Sequence, residues 1–192
     1  MKNLFKAAGI IVSIIAVSQS PLKADEVADT ISEAQTKYKA GELGGAGVSL
    51  QYALNLLNEK RAEKLKTLLP KSAGEWTGDE GKSESMGMLG GGFTVSRNFT
   101  KGDNEASVSL IMDSPLIQQM IGVITNPIFA GQMGMKMRDI KGEKASYHSE
   151  NGELMLVLNN TVLVKVEARG STEADILELA RAVDIDGIKG MK

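Results

Sequence analysis

The sequence predicts an α+β fold, with an N-terminal helical hairpin followed by an antiparallel sheet covered by helices on one face. Three observations predict it. Apolar residues recur at helical spacing from Asp25 to Leu69, they alternate with polar residues from Phe93 onward, and a Gly-rich stretch separates the two regimes. The expected organisation is a signal peptide over 1–24, a helical hairpin over 25–70, a Gly-rich linker or loop over 71–92 and an α+β domain over 93–192.

The first segment is an address. Met1–Lys6 carries two lysines and no acid, Leu4–Val17 is almost wholly apolar, and small or polar residues lead to Leu22-Lys23-Ala24. Those are the three parts of a secretory signal peptide, with cleavage expected after Ala24. The apolar centre falls short of the roughly 20 residues a membrane span needs, which argues against a span; an uncleaved N-terminal anchor is the alternative. Without Lys2, Lys6 and Lys23 the chain keeps 19 basic against 24 acidic residues, a net charge near −5. A periplasmic location fits this segment best.

In the first helix Val27, Ile31, Ala34 and Tyr38 are spaced by four, three and four, which puts them on one face. Gly41 suits the left-handed position that closes a helix, and Gly44, Gly45 and Gly47 suggest a loose connection. The second helix is expected from Val48 to Leu69, with Leu50, Leu54, Leu57, Leu65 and Leu68 as its stripe, an interruption at Arg61 and Pro70 as its end. Ser72–Gly92 then reads as a linker that holds the one Trp, Trp76.

Beyond it the period becomes two. Phe93, Val95 and Phe99 alternate with Thr94, Ser96, Asn98 and Thr100, and after a turn at Lys101–Asn104 a second alternation runs from Ala106 to Met112. Ser114-Pro115 is a cap with Pro at the first helical position, predicting a helix to about Thr125 and a shorter piece after Asn126-Pro127. Met135–Ile140, Lys144–Ser149, Glu153–Leu158 and Thr161–Ala168 read as strands punctuated by Gly142, Asn151-Gly152 and Asn159-Asn160. Lys165, Glu167 and Arg169 place water on one side of the last strand. A final helix starts at Ser171 or Thr172, supported by Asp175, and buries Ile176, Leu177, Leu179, Ala180 and Val183.

Two resemblances accompany these patterns. Ala34–Leu57, with Tyr38, Gly41, Ala46, Ala53 and Leu54, resembles one tetratricopeptide-type helix pair, but no second copy follows. The element order from Trp76, closing on Ile176–Asp184, loosely resembles the Mog1/PsbP-like fold and small secreted bacterial proteins of α+β type. That resemblance implies a binding or assembly role and carries no functional residue over.

Composition excludes most secreted chemistries. There is no Cys, so thiol catalysis, disulfides and thiolate metal sites are absent, and the fold must stand on its core. The one His, His148, stands beside Tyr147 and Ser149 in a polar strand rather than in a hydrolytic set. Two carboxylate pairs, Asp79-Glu80 and Asp184 with Asp186, lie at chain breaks where acids are solvated. An acidic net charge with one Trp, three Tyr and four Phe argues against nucleic acid. No enzyme activity and no cofactor are expected.

Two features point to binding. Ser114–Met135 contains no charged residue, and Leu116, Ile117, Met120, Ile121, Ile124 and Phe129 are its candidate binding surface. Burial over the sheet is the alternative. Methionine is concentrated between Met86 and Met155, with Met-x-Met spacings at Met86 and Met88 and at Met133, Met135 and Met137. These side chains suit core packing or an adaptable apolar surface, and soft thioethers make Cu(I) a further alternative where no metal site is otherwise expected. The expectation is a non-enzymatic periplasmic binding or accessory protein whose partner is an envelope protein or a small hydrophobic ligand. A lipid carrier is its alternative, and membrane contact without a span is compatible with it.

Overall fold

The computed structural model describes residues 25–85 and 92–191. The expected signal peptide, and Met86 and Met88 of the Met series, lie outside the described residues. The chain forms two compact units divided within one helix, the first ending at Ala53 and the second comprising Leu54–Lys192.

The first unit is helical. α1 spans Glu26–Lys39 and α2 spans Leu43–Lys66. Gly41 takes φ +81°, the left-handed turn between them. Gly44, Gly45 and Gly47, expected in a loose connection, lie inside the first turns of α2. A Cβ on Gly45 would sit 3.2 Å from the flexible Lys37 side chain, whereas Gly44 and Gly47 face open space. Thr30 and Ala34 of α1, and Ala46, Ser49 and Ala53 of α2, are the buried positions, so small residues build this hairpin.

The second unit has the α+β architecture that the sequence predicts, with an antiparallel sheet of nine strands among the described residues, but helices pack on both faces of the sheet rather than on one. Its strands are β1 (Ser72–Ala73), β2 (Trp76–Gly78), β3 (Lys82–Ser85), β4 (Phe93–Lys101), β5 (Asn104–Met112), β6 (Met135–Ile140), β7 (Glu143–His148), β8 (Glu153–Leu158) and β9 (Val162–Glu167). The order is β1-β2-β4-β5-β9-β8-β7-β6, with β3 also on β4. Residues 72–85 are therefore paired strands and not a linker. Asp79 bridges the gap between β2 and β3. Its carboxylate accepts from the Gly81 N–H at 2.8 Å and from the Asn98 amide at 3.0 Å, and its own N–H donates to the Asn98 carbonyl at 2.9 Å.

The main core lies on one face of this sheet. Val95, Phe99, Val108, Leu110, Leu156 and Val164 meet Ile176 and Leu179 of α5 (Glu173–Ala182), Ile185 and Ile188 of α6 (Ile185–Lys189), and Ala62 and Leu65 from the end of α2. Trp76, expected in a loop, is fully buried there. Asp184, one of the paired acids, caps α6 by accepting from the Gly187 N–H at 2.9 Å. Alternation places the residues between these core positions on the other face, where Ile111, Met155, Val157 and Leu163 receive the helix that follows β5.

The charge-free helices on the second face of the sheet

α3 (Pro115–Thr125) and α4 (Pro127–Gln132) carry the candidate surface. Their ends are set by local chemistry. Ser114 caps α3 by accepting from the Leu116 N–H, with Pro115 supplying the fixed φ of a first turn. Asn126 stops α3, and its side chain accepts from the Ile128 N–H at 2.9 Å to start α4. Gln118 anchors the middle of α3 by donating to the Asn160 carbonyl at 2.8 Å, in the turn between β8 and β9. At the entrance, Asp113 adopts φ +53° and pairs with Arg61 at 2.6 Å.

The two sides of α3 have different fates. Ile117 and Ile124, seven residues apart, are buried against Met155 and Leu163. Met120 and Ile121 are half-buried and pack on the same cluster with Met135 and Val157. Four of the six candidate surface residues thus serve wholly or partly to seat the helix. The sheet offers an apolar patch only at Ile111, Met155, Val157 and Leu163, and α3 turns its most continuous stripe toward it. The outward side is formed by Leu116 at 47% exposure and Phe129 at 50%, joined by Ile128 at 69% and Met133 at 53%. Ile128 and Met133 both lie in the charge-free run, and Met133 also opens the Met-x-Met series.

The described members of the Met series have different surroundings. Met133 is exposed at the end of α4, while Met135 joins the cluster beneath α3. Met137 stands opposite Ser146 in the β6–β7 register. Among the described residues, no three His, Asp or Glu side chains converge as metal ligands. His148 is half-buried, and its Nδ1 accepts from the Asn151 N–H at 3.4 Å. Past Met155 the face turns charged. Lys165 lies 3.0 Å from both Glu153 and Glu167. Burial works against its ammonium, yet hydrogen bonds to the two carboxylates outweigh that and raise its pKa.

One polar residue escaped the sequence reading. Arg97 is buried on the core side of β4, where its Nη1 donates to the carbonyls of Leu69 at 3.0 Å and Pro70 at 2.8 Å, and its Nη2 to that of Glu80 at 3.2 Å. The signal was present, since Arg97 occupies the inward register of Phe93, Val95 and Phe99. It ties the chain after α2 to the strand region and takes the guanidinium's charge out of water without a carboxylate partner.

The clefts on the second unit are open. One, of about 520 Å³, is lined mainly by polar residues such as Asn58, Glu59, Glu63 and Glu84. No described helix is long and apolar enough to cross a membrane. Compared with protein-family models, with curated proteins and with solved structures, the chain matches none.

Proposed function

We propose that this chain is a non-enzymatic binding or accessory protein of the periplasm, acting through the outward side of α3 and α4. The partner class is an envelope protein or small ligand with an apolar surface. One observation carries the reading: Ser114–Met135 has no charged residue, yet it leaves Leu116, Ile128, Phe129 and Met133 in water. A helix that needed only to seat itself on the sheet would gain solubility from polar residues there. Instead the exposed side chains adjoin the end of a well-capped helix, an apolar tip on a rigid base. The periplasmic assignment rests on the character of residues 1–24. An enclosed lipid carrier draws less support, because the cleft of about 520 Å³ is open to solvent and holds Asn58, Glu59, Glu63 and Glu84 in its lining.

The test is a double substitution, Ile128→Ser with Phe129→Ser, in the full chain. Binding of the apolar dye bis-ANS should fall several-fold while thermal stability stays within the small range typical of surface changes. Equal dye binding by the two proteins would refute the surface.

A further inference from the structure

The methionines differ in what covers their sulfur. Among the described residues, Met112 and Met155 are buried, at 4% and 5% exposure, and the rest are half-buried except one. That one is Met133, at 53%. Its neighbours keep it open. Met133 closes α4, with Gly131 before it and Gly134 directly after. A Cβ on either glycine would meet nothing within 4 Å, so open space lies on both sides. Gly134, at φ +72°, then turns the chain into β6. Phe129 stands four residues before Met133 on the same side of the helix, so the thioether extends the apolar tip.

A thioether is oxidised where an oxidant can reach a sulfur lone pair, so reactivity follows exposure. We propose that Met133 is a modification site for peroxide, and that its conversion to the sulfoxide switches off the apolar surface of α3 and α4. The second part rests on the function proposed above, and the first does not. The step balances with no group held by the protein. A sulfur lone pair attacks one oxygen of hydrogen peroxide, the O–O bond breaks and an S–O bond forms. The sulfur loses two electrons to the peroxide. The proton of the transferred oxygen moves to the departing hydroxide, which leaves as water. A thiol-dependent sulfoxide reductase reverses the change, returning thioether and water while its thiols become a disulfide.

Oxidation alters the surface and spares the fold. The sulfoxide oxygen calls for a hydrogen-bond donor or water. An apolar partner surface offers neither, so contact would strand that polar group. The end of α4 persists because backbone makes it: the Met133 N–H donates to the carbonyls of Phe129 at 3.2 Å and Ala130 at 3.1 Å. The apolar cluster beneath α3 draws on Met135 and Met155 instead.

The full chain, treated with dilute hydrogen peroxide and mapped by mass spectrometry with fragmentation, should gain oxygen at Met133 several-fold faster than at Met112 or Met155. Equal rates would overturn the modification site. Dye binding reads the switch. Oxidation should lower bis-ANS binding about two-fold, since Met133 is one of four exposed apolar side chains on this side. Met133→Leu removes the sulfur and keeps an apolar side chain, so its dye binding should resist the same treatment, whichever other sulfurs react. Met133→Gln, with a polar end at similar reach, should bind dye at the lowered level before any peroxide is added. Undiminished dye binding by the oxidised parent, or an equal loss by Met133→Leu, would overturn the switch. The protein carrying Ile128→Ser with Phe129→Ser keeps the two ideas apart. If it loses dye binding while the oxidised parent does not, the surface stands and the switch fails. If it binds dye as the parent does, the surface reading fails and takes the switch with it, while the rate at Met133 still decides the modification site.

Discussion

Asp175→Asn is the substitution whose effect can be worked furthest from the structure. Asp175 is the third residue of α5. Its Oδ2 accepts from the Thr172 N–H at 3.1 Å and from the Thr172 hydroxyl at 2.6 Å, while its own N–H donates back to that hydroxyl at 3.2 Å. Lys101 lies 3.0 Å from Oδ1. The Thr172 hydroxyl first and the Lys101 ammonium second hold the carboxyl well below its ordinary range, at about 2. A folded pKa below the unfolded one means that the stabilisation is present above the unfolded pKa, and is lost as pH falls toward the folded one. Taken whole, a shift from 3.8 to about 2 corresponds to about 2.4 kcal/mol. The group lies at the protein surface, and solvent screening reduces this to about 1 kcal/mol. Asn keeps the shape and removes the charge. Urea unfolding followed through Trp76, the one Trp and fully buried, reads the second unit directly. The variant should be about 1 kcal/mol less stable at pH 7, and the gap should narrow between about pH 4 and pH 2 as the parent's carboxylate takes its proton. A gap that persists undiminished at pH 2, or no gap at pH 7, would refute the assignment of this charge to the cap.

Arg97→Met should cost about 3–5 kcal/mol in the same assay, because it strands the buried carbonyls that the guanidinium satisfies, and Arg97→Lys should restore only part of the loss. On α3 and α4 burial predicts opposite outcomes for two isoleucines. Ile124→Ala should lower stability by about 2–5 kcal/mol through the cavity it leaves, whereas Ile128→Ala should change it by no more than about 0.5 kcal/mol. Thermal unfolding of the two variants side by side checks the orientation of the helix.

Much of this fold was legible because its punctuation is local. Ser114-Pro115 and Asn126-Pro127 set helix ends with side chains and a fixed φ, which a reader can see without knowing the partner element. The Asn-Gly turn and the alternating strands that flank it are of the same kind. What could not be read depends on distant partners. Gly44, Gly45 and Gly47 are weak helix formers, yet they lie in the first turns of α2, which their own propensity does not announce. The strands within residues 72–85 are too short and polar to announce themselves; β2 and β3 pair with β4, and β1 with β2. The charge-free run named the candidate surface, but Met155 and Leu163 decide which side of α3 is hidden. That made Ile117 and Ile124 anchors and left Leu116 and Phe129 outside. Arg97 sits in the inward register of β4, but the Leu69, Pro70 and Glu80 carbonyls that make its burial possible come from distant chain.

The sheet's two edges bear on how the chain avoids unwanted association. At one end stand β1, with two residues, and β3, with four that include Lys82 and Glu84, and at the other β6, whose six residues include Lys136, Arg138 and Asp139. A short edge and a charged edge are both poor templates for an incoming strand. Backbone-to-backbone stacking of the kind that nucleates fibres is thereby discouraged at each end. The sticky side chains of this chain lie on helices, whose peptide groups are already paired internally. Contacts made there are limited by side-chain fit, so apolar surface on these helices offers no backbone template for open-ended growth.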